Sequence, residues 1–137
     1  MNTKQRWVLA IDPGSAKCGY AIVLEDCTCS EKGVVPVGEL FQTLQSLYLP
    51  PLPEAIVVGK CGWTSIVTDI IGKLGPEIPI VLVDETNSTY EARPLYFKEH
   101  PPIGIWWFVP LGLQTPGRPI DDYAAWIIGK RWWQAHQ

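Results

Sequence analysis

The sequence predicts an α/β fold in which one mixed central sheet is flanked by helices. Short apolar runs typical of strands alternate with segments of helical periodicity, in the order βββαβαβαα. The first three strands lie close enough in the chain for an antiparallel meander, whereas helices separate the later strands, as they do in parallel sheets. The 137 residues are 47% hydrophobic and 18% charged, which suits one domain with a substantial core. We therefore expect a single domain over residues 1–137, with three antiparallel strands plus parallel strands.

The first half of the chain carries the meander and one helix. A strand is expected over residues 6–12, where a buried apolar run stops at Pro13-Gly14. Further strands are expected over residues 19–24 and 33–37, on either side of an acidic turn. Apolar residues then recur at helical spacing over residues 40–48, and Pro50-Pro51 ends that helix.

The second half alternates strands and helices. Strands are expected over residues 55–59 and 78–83, and a helix that Thr64 or Ser65 could cap is expected between them. Ser88 and Glu91 form a capping-box pattern that opens a helix ending near residue 99. Residues 100–119 hold five prolines and predict a long irregular loop. The last helix is expected over residues 121–133.

Acidic residues stand at three boundaries between elements. Asp12 ends the first strand, Asp84 and Glu85 end the fifth, and Asp121 opens the last helix. Taken singly, each acid is most simply a helix cap or a solvated turn. Together they could meet at the strand ends where such sheets bind ligands, and grouped carboxylates repel unless a cation neutralises them. Oxygen ligands of this kind suit Mg²⁺ or Mn²⁺, and a two-metal site suits phosphoryl displacement.

Three segments resemble the motifs of a known family. The segment VLAIDPGSAKCGYA, residues 8–21, is similar to the first motif of the YqgF/RuvX family, in the RNase H-like superfamily that includes the RuvC Holliday-junction resolvases. The segment VLVDETNSTYEA, residues 81–92, resembles its second motif, and IDDYAAWII, residues 120–128, resembles its C-terminal helix motif. The three occur in the family's order and span nearly the whole chain.

This resemblance implies an RNase H-like fold and a metal-dependent nuclease. It makes Asp12, Glu85 and Asp121 the catalytic and metal-binding acids, with Asp84 as a further candidate metal ligand. The cofactor implied is Mg²⁺ or Mn²⁺, with two ions during turnover. Members of the family are described as processing the precursor of 16S ribosomal RNA, in ribosome biogenesis, and were earlier proposed as junction resolvases. The implied partners are therefore structured or single-stranded RNA, or alternatively branched DNA.

Candidate substrate contacts lie near these acids. Gly14 would let the first loop pass close to a phosphate, and Lys17 could meet the phosphate's charge, although an exposed loop lysine is equally ordinary. The hydroxyls of Thr64 and Ser65, at a helix N-terminus, could form an anion site. The resembled family usually has an arginine directly after the Asp-Glu pair, whereas this chain has Thr86.

The loop over residues 59–65 also departs from the family, which usually has a Gly-Leu-Pro segment there. The two departures keep a second interpretation open, a catalytically weak or inactive module that binds RNA or a protein. A third, phosphate-ligand binding of the sugar-kinase and actin type, shares the Asp-x-Gly first loop but normally needs two such domains in a longer chain.

Aromatic residues concentrate in the last third of the chain. Five of the seven tryptophans lie between Trp106 and Trp133, near Arg118. Indole and guanidinium planes can stack on unpaired bases, so Trp106 and Arg118 are candidate substrate contacts. Core filling is the favoured interpretation for most of the tryptophans.

The N-terminal segment, the apolar runs and the cysteines indicate the cellular compartment that we expect for the protein. The N-terminus does not resemble a signal peptide, and the apolar runs are too short to cross a membrane. The spacing of Cys27 and Cys29 is too tight for a usual zinc site, which favours reduced thiols. We therefore expect a cytoplasmic protein with no membrane partner. The net charge of −3 argues at first sight against a nucleic-acid partner.

Overall fold

The strands form one mixed sheet, as the sequence predicts. The computed structural model describes residues 5–47, 51–74, 78–84, 88–101 and 121–136. Within them, five strands lie in the order β3-β2-β1-β4-β5. The antiparallel pairs are β1–β2 and β2–β3, and the parallel pairs are β1–β4 and β4–β5. The strands are β1 (Trp7–Asp12), β2 (Lys17–Leu24), β3 (Cys29–Pro36), β4 (Ile56–Lys60) and β5 (Ile80–Asp84).

In the described part of the chain, four helices accompany the sheet in the predicted order. They are α1 (Leu40–Leu47), α2 (Thr64–Gly72), α3 (Ser88–Glu99) and α4 (Asp121–Ala135). A short 3₁₀ turn, Val37–Glu39, leads into α1. Helix α4 extends two residues past its predicted end, while α3 has the predicted bounds. Of the predicted irregular loop, residues 102–119 lie outside the described ranges.

The edge strand β3 begins four residues earlier than the sequence predicts. Its first half contains Ser30, Glu31 and Lys32, whose polarity hides the alternation by which strands are recognised. The pairing of β2 with β3 nevertheless continues to Val23 opposite Cys29, past an irregularity after Ile22. Pairing with a buried neighbour therefore decides the extent of this strand.

Strand β1 lies at the centre of two hydrophobic layers. All six of its residues are buried, as a strand covered on both faces requires. Leu9 and Ile11 pack with residues of α1 and α2 on one face, whereas Val8 and Ala10 pack with residues of α4 on the other. Each residue of β1 can therefore be assigned to a face by alternation.

Helix α4 lies very close to the sheet. Ala125 is fully buried in the layer formed with Val8 and Ala10, as its small side chain predicts. At Gly129, an added Cβ would lie 2.6 Å from Cγ2 of Val23. Helix α3 packs on the far side of α4, where Ala92, Tyr123 and Ile127 form a smaller cluster. The first turn of α4 is thus held between the sheet and α3.

No helix in the described part of the chain is both long enough and apolar enough to cross a membrane.

Candidate active site at the end of β1

Asp12 and Asp121 meet at one end of the sheet. Asp12, the last residue of β1, lies opposite Gly19 of β2. A Cβ on Gly19 would lie 1.9 Å from the carbonyl oxygen of Asp121, so this glycine leaves the space that the start of α4 occupies. Asp12 alternates with Val8 and Ala10, which places its side chain on the face that α4 covers. The structure therefore places the first and last of the three predicted catalytic acids next to the same residue, Gly19.

The two carboxylates lie in partly dehydrated surroundings. The residue Asp12 is only 8% exposed, and Asp121 is half-buried. Burial raises the pKa of Asp121 above its usual 3.8, the neighbouring charge of Asp122 raises it further, and Lys17 opposes both effects. Burial also raises the pKa of the Cys18 thiol, and the charges of Asp12 and Asp121 act in the same direction. Negative charge is thus concentrated at this end of the sheet.

Lys17 lies on the same face as the two acids. It alternates with Gly19 and Ala21 along β2, and Ala21 belongs to the layer beneath α4. The side chain is exposed, yet its charge reaches Asp121 and opposes the rise in the pKa of that carboxyl. This placement suits the predicted contact with a substrate phosphate.

The turn between β1 and β2 also explains why residue 14 is a glycine. A Cβ at this position would lie 2.3 Å from the carbonyl oxygen of Lys17, so the loop between β1 and β2 folds tightly back on itself. The glycine is therefore required by the turn that delivers Lys17 to the site, whatever it contributes to phosphate approach.

Asp84 is separated from the two acids. It alternates with Val83, which packs toward α4, so its side chain lies on the opposite face, with Ile80 and Leu82. Its carbonyl oxygen accepts a hydrogen bond from Nη1 of Arg131 at 2.8 Å. Nη2 of the same arginine donates to Oε2 of Glu91 at 2.6 Å. Arg131 thus connects the end of β5 with the first turn of α3. Glu85 lies outside the described residues.

The described residues fit part of a site for a divalent cation. Within the described ranges no group of three or more His, Cys, Asp or Glu side chains could hold a metal ion. Asp12 and Asp121 supply carboxylate oxygens, which Mg²⁺ and Mn²⁺ prefer, and a cation would offset the negative charge at this end of the sheet. The donor chemistry therefore suits these metals, and Glu85, the third predicted ligand, stays a prediction.

The start of α2 differs from the prediction. The cap position is occupied by Trp63, which makes no side-chain capping hydrogen bond, so the prediction of a Thr64 or Ser65 cap is wrong. The Thr64 hydroxyl donates to the Gly59 carbonyl at 2.6 Å and accepts from the amide of Cys61 at 2.8 Å. Thr64 is the first residue of α2, and these two hydrogen bonds connect its hydroxyl to the backbone of the loop that follows β4.

The other predicted substrate contacts differ in how accessible they are. The Thr64 hydroxyl is committed to the loop backbone, whereas Ser65 is exposed at the same helix start. Trp106 and Arg118 lie outside the described residues.

The loop after β4 carries an exposed tryptophan that the sequence interpretation did not single out. Trp63 is 46% exposed, in contrast to Trp133, which is 2% exposed and fills the core as predicted. Lys60, at the end of β4, is also exposed. Because β1 and β4 are parallel, this loop and Asp12 lie at the same edge of the sheet. A tryptophan directly after a glycine in a strand-to-helix loop was the available signal.

Comparison with solved structures identifies the fold. The structure of T. thermophilus RuvC in complex with a Holliday junction substrate aligns with a TM-score of 0.62 and 18% sequence identity, covering 96% of this chain and 95% of that one. The chain has the RNase H-like fold of RuvC. A second Thermus thermophilus RuvC structure aligns with a TM-score of 0.58 and 16% identity, covering 95% of each chain. No protein-family model and no curated protein matches the sequence. The RuvC-like fold thus confirms the predicted architecture, while the likeness to the YqgF/RuvX family stays a prediction.

Proposed function

We propose that the chain is a metal-dependent nuclease that hydrolyses phosphodiester bonds in structured nucleic acid. The observation that carries this proposal is the position of Gly19, which pairs with Asp12 and packs against the backbone of Asp121. Two acids placed on one face, at the end of the central strand, are what an oxygen-ligated cation needs. The fold supports the proposal, since the similar RuvC structure was solved with a Holliday junction.

The proposed ligands of Mg²⁺ or Mn²⁺ are Asp12 and Asp121, with Glu85 as the third. The bound cations would offset charge on the phosphate and make a water molecule more acidic. Asp12 is held by β1 and its pairing with Gly19, so it enters the reaction already oriented. Lys17, on the same face, binds a neighbouring phosphate by its charge, and the buried floor beneath α4 excludes water from behind the acids.

For the substrate, we propose structured RNA, with a precursor of ribosomal RNA as the first candidate because of the three motifs. The exposed Trp63 supports a substrate with unpaired bases, since an exposed indole can stack on a base. Branched DNA is the alternative substrate, favoured by what the similar RuvC structure contains.

A catalytically inactive binding module is the second candidate function. Two observations favour it: Asp84 is on the face away from Asp12, and the Thr64 hydroxyl is used inside the protein. A module of this kind would bind nucleic acid through Lys17 and Trp63 without cleaving it.

Asparagine substitutions test the proposed nuclease. Asp12→Asn and Asp121→Asn should each reduce cleavage of a structured RNA in Mn²⁺ by roughly 100-fold or more, since each removes a charged metal ligand. Titration calorimetry should show the same two variants losing Mn²⁺ affinity. Asp69→Asn, which removes an exposed aspartate from α2, is the matched control and should retain both properties.

The outcomes separate the candidates. Cleavage of a four-way DNA junction in preference to RNA would select the branched-DNA substrate. Nucleic-acid binding without cleavage of either substrate, in a parent protein that binds Mn²⁺, would select the inactive module. Full activity of Asp12→Asn would show that the site is elsewhere.

A further inference from the structure

Three charged and aromatic side chains form a connected group beside the first turn of α4. The hydroxyl of Tyr123 donates to Oε1 of Glu99 at 2.5 Å. Nζ of Lys32 lies 3.4 Å from the same oxygen and 4.7 Å from the centre of the Tyr123 ring. We call Lys32, Glu99 and Tyr123 the α4 tether. The ammonium group can therefore attract the carboxylate and the aromatic face at the same time.

The α4 tether joins three different elements. Tyr123 belongs to α4, Glu99 is the last residue of α3, and Lys32 lies in the edge strand β3. The residue Tyr123 is 1% exposed, and the ring of Tyr96 meets it edge-on at 5.7 Å. A buried phenol has little freedom to move, so the tether fixes the start of α4 in two directions at once.

The start of α4 needs such a tether. The first amides of a helix have no acceptor within the helix, and the terminal turn frays unless other contacts hold it. Asp121 is the first residue of α4, and on the sheet side its backbone rests against Gly19. That contact limits how closely the turn can approach the sheet. The hydrogen bond and the charges of the tether add an attraction that joins this turn to α3 and β3.

We infer that the α4 tether is a positioning device for Asp121, in which Tyr123, Glu99 and Lys32 hold the first turn of α4 against the sheet. The inference rests on the proposed function, because it makes the metal affinity of the site depend on three residues that do not touch the metal. Removing the tether leaves the carboxylate present but lets its position vary.

The test uses Tyr123→Phe, which removes the hydroxyl and keeps the ring. Amide hydrogen exchange over residues 121–125 should become faster, because the turn loses its link to Glu99. The Mn²⁺ affinity measured by calorimetry should fall about 10-fold, the effect of losing a residue that orients a ligand. Glu99→Ala, which removes the acceptor of this hydrogen bond, should reproduce both changes, and adding Tyr123→Phe to it should cause little further loss, because the same hydrogen bond is already broken.

The matched control acts at the other end of the same helix. Nε1 of Trp133 donates to the Val23 carbonyl at 3.0 Å, so Trp133→Phe also removes a buried hydrogen bond from α4. It should lower the stability of the fold while leaving Mn²⁺ affinity and exchange over residues 121–125 unchanged. Equal effects of the two variants on metal affinity would reduce the tether to general stability and overturn the inference.

The remaining outcomes are distinct. Faster exchange in Tyr123→Phe with unchanged Mn²⁺ affinity would overturn the positioning role. A parent protein that binds no Mn²⁺ would contradict the proposed function itself, and the exchange rates would then decide whether the tether holds the turn.

Discussion

At the scale of single residues, Glu99 connects the end of α3 with the first turn of α4. The hydrogen bond from Tyr123 is the main reason that the pKa of Glu99 lies below its usual 4.5, and the charge of Lys32 lowers it further. A carboxyl whose pKa is lower in the folded state stabilises the fold at neutral pH. That stabilisation is lost as the pH falls through the folded-state pKa.

Lowering the pH should therefore remove the stabilisation that Glu99 provides. At pH 7 the parent should melt at a higher temperature than Glu99→Gln, and the difference should shrink as the pH falls below 4.5. Because the side chain is 43% exposed, solvent screening keeps the effect to about 1 kcal/mol or less. Thermal melts at several pH values measure it, with Glu39→Gln on the exposed turn before α1 as a control. A difference that stays constant from pH 7 to pH 3 would contradict this assignment.

The residue scale also shows what sequence reasoning can recover. Asp12 and Asp121 were predictable, because their positions follow from where a strand ends and a helix begins. Thr64 was assigned to the wrong role, since a hydroxyl near a helix start can serve the helix or the preceding loop. The choice depends on the Gly59 carbonyl that the fold brings within 2.6 Å. The sequence does not single out Trp63, because the exposure of a side chain depends on how the whole molecule packs.

At the scale of elements, the position of α4 depends on two glycines. A Cβ at Gly19 would lie 1.9 Å from the carbonyl oxygen of Asp121, and one at Gly129 would lie 2.6 Å from Cγ2 of Val23. Distances this short leave no room for a methyl group without movement of the helix or the sheet. Gly19 therefore sets the distance between the sheet and the first turn of α4. Gly129 sets the distance between the sheet and the later turns of the helix.

Alanine substitutions should separate these two roles. Gly19→Ala and Gly129→Ala should each destabilise the fold by about 1–3 kcal/mol, as overpacking does. Only Gly19→Ala should also weaken Mn²⁺ binding, because it displaces the turn that carries Asp121. Denaturant unfolding and calorimetry measure the two effects. Gly38→Ala is the control, since its Cβ would meet no atom within 4 Å. Undiminished Mn²⁺ affinity in Gly19→Ala would show that the contact is not needed by the site.

The bounds of a buried strand can be predicted more accurately than those of an edge strand. Strand β1 was predicted within one residue, since all of it is apolar up to Asp12 and covered on both faces. The predicted start of β3 was four residues too late, because an edge strand owes its extent to hydrogen bonds with β2 and not to its own side chains. Sequence patterns report side-chain burial, so they locate central strands better than edge strands.

At the scale of the whole molecule, the charge balance can be reconciled with a nucleic-acid partner. The chain has 14 acidic and 11 basic residues, a net charge of −3. Four of the acids, Asp12, Asp84, Glu85 and Asp121, belong to the predicted site. Two divalent cations would change the total from −3 to +1, since −3 + 4 = +1. The local change is larger than the total suggests, because Asp12 and Asp121 lie at the same end of the sheet as Lys17.

Nucleic-acid affinity should therefore depend on divalent cations before any cleavage occurs. Without them, Asp12 and Asp121 repel the phosphates that Lys17 attracts, and at low ionic strength this repulsion is poorly screened. Fluorescence anisotropy with a labelled, nuclease-resistant phosphorothioate RNA should show tighter binding in Mg²⁺ than in EDTA at matched ionic strength. In Asp121→Asn the repulsion is reduced and the cation is no longer held, so binding in EDTA should improve and the gain from Mg²⁺ should shrink. Equal affinity of the parent in Mg²⁺ and EDTA would place the binding surface away from these acids, because a ligand that contacted them would experience the change in their charge.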